Sequence, residues 1–217
     1  MSCKDPDLSL TGYVPRTTYG MAWKSNARKI EMCKVFAGET ILDIGCSVRQ
    51  AERYCDGAYI GFDIRIVNSE RKPDVLGEAQ YLPFRGKSFN TILAFDIVEH
   101  LADGDLFMSE CFRLLKPEGR LLITTPNGPR SPFARADITH ISIYTAKRMK
   151  ALLETHGFTP LSCNVFNIHS RLLEPLKILP RFLGEYLASK LVSEIFIIGT
   201  KARTLQCETV MGKLRIE

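Results

Sequence analysis

Short apolar runs separated by polar stretches organise the chain between residues 40 and 126. "TILDI" (40–44), "AYIGFD" (58–63), "PDVLG" (73–77), "NTILAFD" (90–96) and "RLLITT" (120–125) are too short for amphipathic helices and read as five strands. Near-continuous apolarity is what strands covered on both faces require, so a parallel sheet with crossover helices is predicted. A short helix is expected after the first strand. Between the fourth and fifth, Phe107, Cys111, Leu114 and Leu115 form one apolar face of a helix that "KPEG" closes. In "TAKRMKALLETHGF", Thr145 is the N-cap, Met149, Leu152 and Leu153 point inward, and Gly157 stops the helix. "TPLSCNVF" (159–166) and "SEIFIIGTK" (193–201) add two strands. The predicted fold is α/β: a seven-stranded, mostly parallel sheet with an antiparallel last strand and helices on both faces.

The flanks read differently. Residues 1–38 form an N-terminal helical cap in which Trp23, Ala27, Ile30 and Lys34 share a face. Residues 64–76 carry Pro73 and little apolar periodicity, which predicts an abbreviated loop in place of a full crossover. The main domain spans 39–201, with a helical insertion over 167–192, and 202–217 is a tail. Within the insertion, Leu172, Leu176, Leu179, Leu183, Leu187 and Leu191 make one stripe, cut by Pro175 and Pro180. That stripe either buries on the sheet or the acceptor pocket, or it receives a lipidic substrate or rests on a membrane surface.

Composition narrows the class. With 217 residues, 45% hydrophobic and 24% charged, the chain supports one domain with a sizeable core. A net charge of +5, without runs of like charge, permits an anionic partner and does not demand one. Seven scattered cysteines form no close metal-ligand pair, which points to free thiols in a reducing, cytoplasmic setting. The N-terminus lacks a signal-peptide pattern, and no apolar stretch reaches membrane-spanning length.

An open parallel sheet binds ligands beyond the carboxyl ends of its strands, here Asp43 to Arg49, Asp63, Glu78, and Phe95 to His100. The turn after the first strand offers backbone N–H groups, and a helix N-terminus behind it suits an anion. Asp63, 20 residues past Asp43, stands where a carboxylate accepts both hydroxyls of a ribose. "DIVEH" puts Asp96, Glu99 and His100 together if the strand end turns helical.

In order along the chain, "ILDIGC", "YIGFD", "GEAQYLPFRGKSFN", "FDIVEHL" and "ECFRLLKPEGRLLITTPN" resemble the motifs of class I S-adenosylmethionine-dependent methyltransferases, the type 11 group in particular. The resemblance covers roughly residues 38–160 and implies a Rossmann-like fold with S-adenosylmethionine as cofactor. It further implies that Asp43, Gly45, Cys46 and their backbone cradle the methionine part, and that Asp63 holds the ribose. Glu78 and Ala79 would meet the adenine, and Phe95 with Asp96 would border the sulfonium. His140 resembles the histidine that faces the acceptor, so His140 and Asp96 are the candidate catalytic residues. Asp96, Glu99, His100 and His140 resemble a divalent-metal set of some small-RNA and ubiquinone-pathway methyltransferases.

One departure stands out. The family's loop usually reads Gly-x-Gly-x-Gly, whereas this chain has Gly45, Ser47 and Arg49. A side chain at 47 costs about 1–2 kcal/mol if the backbone is left-handed there. Arg49 either reaches the cofactor's carboxylate or is a solvated helix residue. The expected activity is methylation of a small molecule, on oxygen before nitrogen or carbon, with a lipidic or cell-envelope precursor as one acceptor class. The alternative is a non-catalytic member with a degenerate loop, used for binding or regulation. A nucleic-acid acceptor is disfavoured by the absence of a base-methylation signature, and a nicotinamide oxidoreductase by the absence of GxGxxG.

Overall fold

The computed structural model describes residues 22–128, 137–167 and 193–202. Helix α1 (Ala22–Phe36) leads into β1 (Thr40–Ile44), a 3-10 turn (Ala51–Tyr54), β2 (Ala58–Asp63) and β3 (Val75–Leu76). There follow β4 (Phe89–Phe95), a second 3-10 turn (Val98–His100), α2 (Gly104–Leu114) and β5 (Leu115–Pro126). Then come α3 (Ala146–Thr155), β6 (Phe158–Asn167) and β7 (Ser193–Lys201). The sheet runs β3-β2-β1-β4-β5-β7-β6, with β7 antiparallel to both neighbours and every other pair parallel.

Strand alternation sorts the core into two layers. Leu42, Ile44, Phe62, Ile92, Leu121, Ile123 and Ile197 pack against Phe107, Met108 and Cys111 of α2 and Met149 and Leu153 of α3. The other face, with Ile41, Leu93, Leu122 and Phe196, packs against Met32 and Cys33 of α1. The expected caps are present: Thr145 accepts from the Arg148 N–H at 3.2 Å, and Gly157 has φ +82°.

Four expectations need correction. The short helix after β1 is a single 3-10 turn, so it brings little helix dipole to the strand end. "KPEG" is not the close of a helix. Leu115 pairs with Phe89, Arg120 pairs with Thr91, and the residues between bulge, with Glu118 at φ +63°. The buried face of α1 carries Met32 and Cys33, while Lys34 is exposed; Trp23 and Ala27 lie where side chains are not described. Strand β6 reaches Asn167, one residue into the expected insertion, whose remainder (168–192) falls outside the described residues, as does 203–217. The abbreviated second crossover holds: no helix forms over 64–74.

Candidate active site

The turn after β1 is fastened to β2 by its own backbone. The Gly45 and Cys46 N–H groups both donate to the Phe62 carbonyl, at 2.8 and 3.1 Å. Gly45 adopts φ +76°, and Ser47 and Arg49 adopt +50° and +55°, so two side-chain-bearing residues hold a glycine-like conformation. In that conformation the Ser47 N–H donates to Asp63 Oδ2 at 2.9 Å, while the Arg65 N–H donates to Oδ1 at 3.2 Å. The carboxylate at the end of β2 is thus aimed from both sides, with lone pairs to spare for a ligand.

Arg49 is not a solvated arginine. Its guanidinium grips Glu52 at 3.0 and 2.7 Å and Asp74 at 2.6 Å, lies over the Tyr59 ring, and its side chain is 13% exposed. Gly61 leaves room beside it: a Cβ there would stand 3.4 Å from Arg49 Nη1 and 2.9 Å from Cys46 Sγ. Asp43 is buried on the same face and accepts from the Tyr59 hydroxyl. Burial pushes its carboxyl up to about 6, against the opposing pull of that hydrogen bond.

Beyond β3, Glu78 is exposed and Ala79 is buried, with the Gly77 N–H donating to the Asp63 carbonyl at 3.0 Å. At the end of β4, Phe95 is half-buried and Asp96 turns out at φ +51°. The Asp96 carboxylate meets the Lys29 ammonium of α1 and accepts from Thr124 Oγ at 2.8 Å; Lys29 also lies 3.3 Å from the buried Glu194 of β7. Burial opposes the Lys29 charge, yet the pairing prevails. Asp96 is held below the usual carboxylate range, and Lys29 is raised by its two acidic neighbours.

The 3-10 turn after β4 buries Glu99, whose Oε2 accepts from Thr125 Oγ at 3.0 Å while Oε1 has no hydrogen-bond partner. The Ile141 and Ser142 N–H groups donate to the Glu99 carbonyl at 2.9 and 3.0 Å, which draws the loop carrying His140 onto the turn. The His100 and His140 rings meet edge to face at 4.8 Å between centroids. One ligand atom each from Glu99, His100 and His140 lies within 4.8 Å of the others. Asp96, expected as a fourth member, is engaged by Lys29 instead and stands outside this set. Burial, with the nearby Asp96 charge, pushes Glu99 up to about 8.

The methyltransferase-domain signature matches residues 24–162 of this chain. The chain belongs to the S-adenosylmethionine-dependent methyltransferases. A Mycolicibacterium smegmatis protein described as "Probable S-adenosylmethionine-dependent methyltransferase" is 31% identical over 71% of this chain and 69% of its own length. A "Ubiquinone biosynthesis O-methyltransferase" of Bartonella bacilliformis is 30% identical, over 42% of this chain and 43% of its own length. Among solved structures, a SAM-dependent methyltransferase from Archaeoglobus fulgidus shares the fold with a TM-score of 0.59 at 23% identity, covering 84% of this chain and 94% of that one.

The methyltransferase therefore keeps Gly45 and holds Ser47 and Arg49 in the left-handed conformation that the loop's second and third glycines would adopt. Lys29, Thr124, Thr125 and Glu194 escaped the sequence reading, because each works through a partner at least 26 positions away. Replacing Ser47 by Gly should stabilise the protein by about 1 kcal/mol through relief of backbone strain. Replacing Arg49 by Gly relieves similar strain but strips Glu52 and Asp74 of their partner, for a net loss on the order of 1 kcal/mol. Denaturant unfolding of both variants checks this pair. A more stable Arg49→Gly protein would contradict the role given to the guanidinium.

Proposed function

We propose that this methyltransferase transfers the methyl group of S-adenosylmethionine to an oxygen of a small organic acceptor. The observation that carries the reading is the row of side chains at the carboxyl edge of β2 and β4: Asp63, aimed by two backbone amides, then Phe95, Asp96, Glu99, His100 and His140. The bound cofactor supplies a sulfonium-activated methyl group. Asp63 holds the ribose hydroxyls, Glu78 accepts from the adenine amino group, and the Ala79 N–H faces the adenine ring. Asp43, Gly45 and Cys46 shape the turn against the methionine part.

Asp96, kept ionised by Lys29, borders the positive sulfonium with a compensating charge and is too weakly basic to take a proton. His140 takes the acceptor's proton, and Asp137 Oδ2, 3.8 Å from its Nε2, stabilises the imidazolium that results. Most of the rate comes from holding the nucleophile in line with the methyl. Support for an oxygen acceptor comes from relatives named as ubiquinone biosynthesis O-methyltransferases, matched over less than half of their length.

Isothermal calorimetry tests the cofactor half: Asp63→Ala should weaken S-adenosylmethionine binding at least 10-fold, the loss of hydrogen bonds to an ionised group worth about 1.5–3 kcal/mol each. Unchanged affinity would remove Asp63 from the site. Methyl transfer from radiolabelled cofactor to a panel of phenols, amines and RNA tests the acceptor half, with label expected on phenolic oxygen. Label on RNA or amines alone would sink that assignment.

A second reading is favoured by the unpartnered Glu99 Oε1 inside the Glu99–His100–His140 set. Mixed oxygen and nitrogen donors around a buried carboxyl fit a divalent cation, which when bound would polarise an acceptor hydroxyl. The proton bookkeeping gives a test. Glu99 titrates near 8 when folded and from 4.5 in its ordinary state, so the folded protein holds an extra proton across that window and loses stability as pH rises through it. Glu99→Gln should flatten the dependence. Mn²⁺ or Zn²⁺ should raise the thermal midpoint of the native protein above pH 7 and release a proton on binding. Absence of both effects would end the metal reading and leave His140 as the base.

A further inference from the structure

On the α1 face of the sheet, beside the Asp43–Tyr59 pair, two cysteines converge from different elements. Cys33 lies in α1 and is 1% exposed; Cys55 follows the 3-10 turn Ala51–Tyr54 and is half-buried. Both pack in one apolar cluster with Met32, Ile41, Tyr54 and Tyr59. We infer that Cys33 and Cys55 form a site of reversible oxidation, closing to an intramolecular disulfide that ties α1 to the segment immediately after the cofactor loop.

Cys55 packs against the buried cluster that holds Cys33, and each thiol is the largest influence on the other. Cys55, half-buried where Cys33 is 1% exposed, is the more accessible of the two, which selects it as the attacking sulfur. Cys33, behind it, is the resolving thiol. The other described cysteines are poor competitors: burial pushes Cys46 up to about 12, and it raises Cys111 and Cys163 as well.

With a peroxide as oxidant the chemistry balances. The Cys55 thiolate attacks a peroxide oxygen, giving a sulfenic acid and hydroxide, which leaves as water with the proton Cys55 had released. The Cys33 thiol then displaces water from that sulfenic acid and the S–S bond forms. Two electrons leave the sulfur pair, and one hydrogen peroxide becomes two waters. Disulfide sulfurs sit about 2.05 Å apart, closer than non-bonded thiols, so α1 must draw toward the 3-10 turn. Lys29 is one helical turn before Cys33 on the same face, so the helix that moves is the one that holds Asp96.

The test uses the native full-length protein treated with hydrogen peroxide, followed by alkylation and non-reducing peptide mapping. The expected result is a linked peptide joining Cys33 to Cys55, the loss of two titratable thiols, and recovery of both with dithiothreitol. Cys33→Ser should leave a Cys55 sulfenic acid that dimedone captures, and Cys55→Ser should lose the linkage and the capture together. Linkage through any other pair, or survival of both thiols while peroxide oxidises others, would overturn the inference. The outcome does not depend on which acceptor is methylated or on whether a metal binds.

Discussion

The site rests on one backbone contact, the grip of the Gly45 and Cys46 amides on the Phe62 carbonyl. It locks the turn after β1 to the strand beside it at the place where parallel pairing ends, Ile44 opposite Phe62. With the turn fixed, the next amide that can point toward β2 is that of Ser47, and it lands on Asp63. Loop shape and carboxylate direction are therefore one property. That coupling explains how the loop does without glycines at 47 and 49. The left-handed strain at Ser47 and Arg49 costs about 1 kcal/mol or more at each, and the Asp63 bond and the Arg49 ion pairs offset it locally.

A second clamp acts at the far end of the row. One ammonium, Lys29, serves Asp96 and Glu194, drawing α1, β4 and β7 to a single point. The two carboxyls near that point are driven in opposite directions. Asp96, beside Lys29, stays charged, while Glu99, buried against Thr125, holds its proton to about 8. Neighbouring acids pushed apart in this way can serve different tasks, one electrostatic and one as a ligand or proton carrier.

Most of the sheet was legible because strands covered on both faces are written as apolar runs, and β1, β2 and β4 match those runs to within a residue. The position of Asp63 at the end of β2 was legible for the same reason, as the acid that closes such a run. What was not legible depended on distant partners. Lys29 carries no local signal, because its partners Asp96 and Glu194 stand 67 and 165 positions away. The face of α1 was misassigned because its inward side carries that lysine and a cysteine, which blurs the apolar stripe. Arg49 looked like a ligand or a solvated helix residue because Asp74, its partner across the shortened crossover, was invisible to local spacing. "KPEG" resembled a helix stop, yet the chain had already entered β5 and needed those residues for a bulge.

The most direct measurement is a crystal structure of the protein with S-adenosylmethionine bound. The account predicts the ribose hydroxyls on the Asp63 carboxylate, the Ser47 and Arg65 amide bonds to that carboxylate intact, and the methyl group directed toward the corner formed by Asp96, Glu99 and His140. A cofactor whose ribose lies elsewhere, or whose methyl points away from that corner, would contradict it.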